Sequence, residues 1–432
     1  MSAEDALDAA IARFKARNPC SEALYRQAVE SLPGGNTRTQ LYTFPFPVYM
    51  KSGQGYQVTS EDGHIYTDMV GELTAGLYGH SHPTIITTIK NVLDTVGLSL
   101  GATTAQEHVY AATLCERFAL DRVRFCNSGT EANLQALVAA RAYTGKRRVV
   151  VFSAGYHGGV LGFAGGRPGP GAVDRGEWVV VDYNDSAGAE AAIRGENVAA
   201  VLVEAMQGSG GAIPGTHEFL KTIEAVAKDA GVLFILDEVM TSRLAPGGLA
   251  EVYHIQPDLK TFGKFLGGGL AFGAFGGRAE IMSVFDPRLA STQPLPLAHH
   301  GTFNNNTLVM HAGHAGLTKV YTPEACRDLN AQGDRLRAQL LALTQGTKMS
   351  FTGVGAVVGS HFTEQGFQAI QRCTEEDGTL KQLFWFEMME EGFWLTQRGI
   401  YALILGTPQE ELDRFVGCVE AFLNRHQALA RV

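Results

Sequence analysis

The chain has 432 residues, 45% of them hydrophobic and 18% charged, with a formal net charge of -9; this is more than one compact core holds, so two domains are expected. An acidic balance without clustered Lys and Arg argues against nucleic acid as a partner and points to small molecules. The six cysteines (Cys20, Cys115, Cys126, Cys326, Cys373, Cys418) form no C-x-x-C pair, which suggests neither a disulfide framework nor a zinc knuckle; reduced thiols and, by default, a cytoplasmic location are expected.

Met1 to Asn18 intersperse acids and bases with alanines and predict an amphipathic helix rather than a signal peptide. No stretch approaches the roughly 18 apolar residues a membrane span requires. From about Tyr66 to Phe275, short apolar runs alternate with helical patterns, the mark of a mostly parallel sheet covered by helices. Arg122 to Cys126, Val149 to Phe152, Ala199 to Val203 and Val232 to Leu236 are the predicted strands. Leu134, Leu137 and Val138 mark a helix closing near Gly145, and Phe219, Ile223, Val226 and Ala227 mark another that Gly231 ends. Beyond about His311, helical stretches over Pro323 to Leu343, Leu380 to Glu391 and Pro408 to His426 surround short strands near Phe351 and Tyr401, which predicts a smaller α+β domain.

Three segments carry chemistry. Val232-Leu-Phe-Ile-Leu-Asp237-Glu-Val-Met240 is a buried strand ending in acids, which sets Asp237 at the carboxyl edge where open α/β sheets bind ligands. Asp258-Leu-Lys-Thr-Phe-Gly-Lys264-Phe-Leu-Gly-Gly-Gly269 places Lys264 in apolar company, where an amine tends to lose its proton as Schiff-base chemistry needs; Lys260 reads as a solvated loop residue. Asn127-Ser-Gly-Thr-Glu-Ala-Asn133 joins a strand to a helix and can turn backbone N–H groups toward a phosphate. Each has a plainer reading as a loop cap, a surface lysine or an ordinary N-cap; their joint order along the chain favours the chemical one.

With these segments, Pro33-Gly-Gly-Asn-Thr-Arg38, Thr59-Ser-Glu-Asp-Gly63, Gly79-His-Ser-His-Pro83, Gly155-Tyr-His-Gly158, Thr261-Phe-Gly-Lys264 and Gly301-Thr-Phe-Asn-Asn305 make the sequence resemble the class III, fold type I aminotransferases over about Leu32 to Gly406. It is most similar to the branch holding glutamate-1-semialdehyde aminomutase and β-phenylalanine aminotransferase. The resemblance implies an α/β fold with a large, mostly parallel domain and a smaller α+β domain. Residues 1–50 would form an N-terminal segment of the small domain, 51–310 the large domain that binds pyridoxal 5'-phosphate (PLP), and 311–432 the C-terminal small domain. It further implies that Lys264 holds PLP as a Schiff base and acts as general base, and that Asp237 keeps the ring nitrogen protonated. Ser128, Gly129 and Thr130 would hold the phosphate, with Tyr156 on one ring face and Val239 on the other. Thr302 would reach the phosphate of a neighbouring subunit in a homodimer.

Arg38 matches a carboxylate-binding arginine of both activities in that branch. Arg398, in Thr396-Gln-Arg-Gly-Ile400, resembles an aminotransferase arginine that favours the amino acceptor, where aminomutases carry an acidic pattern. Tyr78, with Leu41, Tyr42, Phe44 and Phe46, suggests an aromatic substrate. The expectation is therefore transfer of an amino group from a β-amino acid, aromatic and β-phenylalanine-like, or a related amine, to a keto acid such as 2-oxoglutarate or pyruvate. The alternative is a glutamate-1-semialdehyde 2,1-aminomutase-like isomerase, and a racemase on the same scaffold stays open. An effector-binding module would carry a DNA-binding segment, which is not found. Ala205 stands where the family commonly has proline, and Glu204 and Gln207 are candidates to support the site from behind. Gly353-Val-Gly-Ala-Val-Val-Gly359 mimics a dinucleotide fingerprint but reads as a small-domain strand. His299, His300, His311 and His314 lack companion ligands, so no metal is expected.

Overall fold

The computed structural model describes residues 2–289, 297–364 and 375–431; Cys373 lies outside them. The described residues divide into two compact units, one built from 2–82, 331–364 and 375–431, the other from 83–289 and 297–330.

In the terminal unit, helix α1 (Ala3–Arg17) opens on a Ser2/Asp5 capping box and buries Ala6, Ala10 and Phe14 at four-residue spacing. Strands β1 (Met50–Gln54), β2 (Gln57–Ser60) and β3 (Ile65–Asp68) follow as an antiparallel meander.

The central unit carries α2 (Pro83–Thr95), α3 (Ala105–Phe118), β4 (Arg122–Cys126), α4 (Gly129–Thr144), β5 (Arg148–Phe152), β6 (Trp178–Val181), α5 (Ser186–Ile193), β7 (Val198–Glu204), α6 (His217–Ala230), β8 (Leu233–Asp237), β9 (Leu259–Gly263), β10 (Gly273–Gly277) and α7 (Thr307–Ala315). Its sheet has the order β4-β10-β9-β8-β7-β5-β6. Strands β8 and β9, β8 and β7, and β5 with both β6 and β7 pair in parallel, whereas β10 runs antiparallel to β9 and β4. All of β7, β8 and β9 is buried, as expected of strands covered on both faces. Local signals set the helix ends: Ser128 caps α4 and Gly145 closes it at φ 69°, while Thr216 caps α6 and Gly231 closes it at φ 62°.

The chain then returns to the terminal unit. Helix α8 (Pro323–Leu343) crosses the division, followed by β11 (Met349–Val354), β12 (Val357–Phe362), α9 (Gly378–Glu390), β13 (Phe393–Trp394), β14 (Ile400–Ala402) and α10 (Gln409–Arg425). Phe14 of α1 packs on Trp385 and Phe386 of α9 at 5.7 and 5.3 Å between ring centroids.

Two boundaries differ from the sequence reading. Residues 51–82, expected in the large domain, belong to the terminal unit because β3 extends its sheet through β13 near the C-terminus. Residues 311–330, expected in the small domain, belong to the central unit, where α7 packs on α2 and α3 and Asn330 donates to the Arg243 carbonyl. Gly353 and Gly359 sit in an antiparallel hairpin, β11 to β12, as the small-domain strand reading expected. Among the described residues, no helix is long and apolar enough to cross a membrane, and no group of three His, Cys, Asp or Glu side chains is set to hold a metal.

Candidate active site

The carboxyl ends of β4, β8 and β9 converge, and glycines allow it. A Cβ on Gly129 would stand 2.7 Å from a Val239 methyl, and one on Gly263 would stand 3.2 Å from that methyl and 3.4 Å from the Gly129 nitrogen. The start of α4, the turn after β8 and the residue before Lys264 thus meet at backbone distance. Lys264 follows Gly263 directly, half-buried, at the head of a short 3₁₀ turn and with φ 57°. A left-handed lysine costs on the order of 1 kcal/mol and persists only where its surroundings fix it.

At the first of these ends, the Ser128 hydroxyl accepts from the Glu131 N–H at 3.2 Å, and Glu131 in turn accepts from the Asn127 N–H at 2.9 Å. Helix geometry leaves the N–H groups of Gly129 and Thr130 without intrahelical acceptors, so this end can receive an anion. The Thr130 hydroxyl accepts from the Gly159 N–H at 3.3 Å, which ties the turn to the segment carrying Tyr156. Tyr156 is 39% exposed.

Asp237, only 4% exposed, is held by three donors. Its Oδ2 pairs with His157 Nδ1 at 2.7 Å and accepts from Asn133 Nδ2 at 2.8 Å, and its Oδ1 accepts from the Val239 N–H at 2.9 Å. A carboxylate offers about four acceptor sites, so one on Oδ1 is left for a further donor such as a protonated ring nitrogen. Asn133 also donates to the His157 carbonyl at 3.0 Å and accepts from the Thr261 hydroxyl at 2.7 Å, which stitches α4, β8 and β9 together behind the acid. Alongside lies Glu204, buried, accepting from the Tyr156 and Gly208 N–H groups at 3.0 and 2.9 Å. Burial pushes its carboxyl up to about 7; His157 and the two N–H donors pull it back, and Asp237 adds to the rise.

Asn133, His157 and Thr261 were missed as functional residues in the sequence. The available signal was a lone amide on the otherwise apolar buried face of Ala132, Ala136, Leu137 and Ala140, since a buried polar group implies a partner. Lys260 is corrected: it is buried, not solvated, and donates to the Phe118 carbonyl at 2.7 Å. Burial lowers its pKa while the nearby Glu238 carboxylate raises it.

Thr302 is exposed, in a turn fixed to the Asn127 segment by the Asn127 to Asn304 amide bond at 2.9 Å. The remaining candidates, Arg38, Tyr78 and Arg398, belong to the terminal unit. There the Arg38 guanidinium pairs with Glu72 at 2.8 Å, Tyr78 is 5% exposed, and Arg398 is exposed in the turn between β13 and β14.

Comparison with known proteins accounts for this arrangement. The model of the family described as aminotransferase class-III matches residues 41–165 and 183–405. The chain is 49% identical to an uncharacterised aminotransferase of Schizosaccharomyces pombe over 98% of its own length and 96% of that protein's. It is 44% identical to a β-phenylalanine transaminase of Variovorax paradoxus, covering 99% of this chain and 98% of that one. A solved structure of a β-phenylalanine aminotransferase from the same organism superposes with a TM-score of 0.95, covering 100% of this chain and 99% of that chain. The chain belongs to the class III aminotransferases and is a transaminase that depends on PLP.

Proposed function

We propose that this transaminase moves the amino group of an aromatic β-amino acid, such as β-phenylalanine, to a keto acid such as 2-oxoglutarate or pyruvate. The observation that carries the reading of the reaction centre is the meeting of three strand ends: an anion-ready helix start, a buried carboxylate with one acceptor site to spare, and a lysine one residue beyond the Gly129–Val239–Gly263 crossing. These residues suit PLP. Ser128, Gly129 and Thr130 would take its phosphate, Asp237 its ring nitrogen, Tyr156 and Val239 its two faces, and Lys264 its aldehyde carbon as a Schiff base.

When bound there, PLP would supply an amino-group carrier and an electron sink for the negative charge left on the amine-bearing carbon. Lys264 Nζ would take the proton from that carbon as general base and give it back as general acid. Asp237 keeps a proton on the ring nitrogen, and His157 and Asn133 keep Asp237 oriented. Arg38 would grip the donor carboxylate and Arg398 would favour the acceptor, as guanidinium forks suit carboxylates, while Tyr78 lies in the segment matching aromatic β-amino acid enzymes.

The working assembly in this reading is a homodimer in which Thr302 reaches the neighbouring subunit's phosphate. Its support is an exposed apolar surface beside Thr302: Phe303, Leu98 and Leu100 are 59%, 58% and 54% exposed, and Thr307 Oγ1 bonds the Gly97 and Leu98 carbonyls. Five described cysteines are free thiols, which supports a reducing compartment such as the cytoplasm.

An amino-donor panel assayed with both keto acids tests the proposal. Turnover of β-phenylalanine well above α-amino acids and simple amines is expected. Faster isomerisation of glutamate-1-semialdehyde than transamination of any donor would replace this reading with the aminomutase one.

A further inference from the structure

Four consecutive residues of the terminal unit are left-handed: Gly71, Glu72, Leu73 and Thr74, with φ of 50°, 48°, 53° and 79°. Only the first is a glycine. Three L-residues in this region are strained, and such strain gathers at functional sites, where a side chain has to be aimed. The turn is over-determined from both ends. Buried Asp68 accepts from the Val70 and Gly71 N–H groups at 2.7 and 3.0 Å, and its other oxygen pairs with His80 Nε2 at 2.9 Å. The Gly76 N–H closes back on the Gly71 carbonyl at 2.7 Å, and the flanks are tied by Ala402 N–H to Met69 O and Leu405 N–H to Leu77 O at 2.8 and 2.9 Å. Ile404 seals the apex, since a Cβ on Gly71 would stand 2.9 Å from its methyl.

This rigid turn presents one charged group, the Glu72 carboxylate, and it meets Arg38 Nη1 at 2.8 Å. With side chains 43% and 58% exposed, the pair adds little to stability, so the strain is not explained by the ion pair itself. The shortest approach is through Nη1, and among the described residues no carboxylate other than Glu72 pairs with Arg38, so the five-donor guanidinium has capacity for a substrate carboxylate as well.

We infer that Glu72 determines specificity at the carboxylate-binding site: it fixes Arg38 through Nη1 and admits a single substrate carboxylate on the remaining donors, rejecting a second negative charge beside it. The inference rests on the reading of Arg38 as the donor-carboxylate group. Arg38 and Glu72 together are neutral, so one bound carboxylate brings the locus to -1. A further carboxylate on the same carbon would lie within several ångström of Glu72, where repulsion in a half-solvated site amounts to about a tenfold loss of affinity.

The test measures dissociation constants of the holoenzyme for three amine-free probes of one skeleton: 3-phenylpropionate with one carboxylate, benzylmalonate with two on the same carbon, and 3-phenylpropanol with none. Shift of the cofactor absorption or competition with the donor gives each constant. The parent should prefer 3-phenylpropionate to benzylmalonate by about tenfold. E72Q should reduce that preference to within about threefold and leave 3-phenylpropanol unchanged. E72N is the second variant, because asparagine tolerates the left-handed backbone better than glutamine. If R38A weakens 3-phenylpropionate while both Glu72 variants keep the parental preference, or shift all three probes alike, the inference is overturned and the Arg38 reading stands. If R38A binds 3-phenylpropionate like the parent, the Arg38 reading falls and the inference falls with it.

Discussion

Asn133→Leu isolates the polar junction behind Asp237. The side chain is 1% exposed, so water cannot readily replace what it provides. Its loss removes a bond to a carboxylate, worth about 1.5–3 kcal/mol, and leaves the Thr261 hydroxyl without its acceptor, a further cost of about 1–3 kcal/mol. The bond to the His157 carbonyl is lost as well, and the greater apolar surface of leucine offsets part of the total. A net destabilisation of about 3–5 kcal/mol follows, which for a domain of this size lowers the unfolding midpoint by roughly 10 °C. Thr261→Val, which strips only the hydroxyl, should cost about 1–2 kcal/mol. Because the two side chains share one bond, the double variant should fall short of the sum by about 1 kcal/mol. Denaturant unfolding of the four proteins gives the cycle, and PLP titration of each apoenzyme reads the site. An Asn133→Leu protein within 1 kcal/mol of the parent and with parental PLP affinity would refute the junction.

Lys264→Ala should abolish transamination and the borohydride-stable attachment of PLP; turnover within tenfold of the parent would remove Lys264 from its role. Glu204 predicts a pH effect. Burial holds its carboxyl near 7 in the folded chain, against about 4.5 when unfolded, so its contribution is fully present below about pH 4.5 and is lost as the pH rises through 7, by up to about 3 kcal/mol. The stability of the parent relative to Glu204→Gln should accordingly decline from pH 5 to pH 8, and a difference constant with pH would contradict the assignment. Mixing Lys264→Ala with Thr302→Ala subunits should restore part of the activity through hybrid sites, whereas a fully active monomer at assay concentration would sink the shared site. Arg398→Ala should slow 2-oxoglutarate or pyruvate by roughly ten- to a hundredfold when mixed with the aminated enzyme in a single turnover; unchanged rates would dismiss Arg398 as an acceptor group.

Much of the central unit was legible because its signals are local. An apolar run closed by Asp237 can be little else than a buried strand, and Ser128 and Gly145, like Thr216 and Gly231, mark helix ends through the backbone conformations they favour. The domain boundaries were not legible, because strand pairing is decided by partners far along the chain: nothing near β3 announces β13, more than 300 residues later. Lys260 was misread for a related reason. Its position in a β9 strand buried on both faces, with Glu238 and the Phe118 carbonyl nearby, exists only after the sheet has assembled. The left-handed run at Glu72 is less visible still, since Glu, Leu and Thr are poor residues for that backbone and composition argues against it.

The division between readable and unreadable features bears on which reaction the enzyme performs. Lys264, Asp237 and the Ser128 turn would serve an isomerase as well as a transaminase, because both begin by moving an amino group onto the same cofactor. What separates them is traffic. An isomerase keeps one carbon skeleton until the amino group returns, whereas a transaminase has to release a keto product and admit a second, differently shaped acid. A carboxylate-binding group that serves such exchange should be accessible and already oriented, so that neither release nor rebinding waits on rearrangement. In its proposed role Arg38 meets both conditions, being 43% exposed and paired with the Glu72 carboxylate on a fixed turn. A deeply buried arginine with both edges of its fork satisfied by protein would have suited retention instead. In the proposed role the Arg38–Glu72 arrangement suits such exchange, but that role is shared with the aminomutases of the branch, so Arg398 is the group whose substitution separates the two reactions.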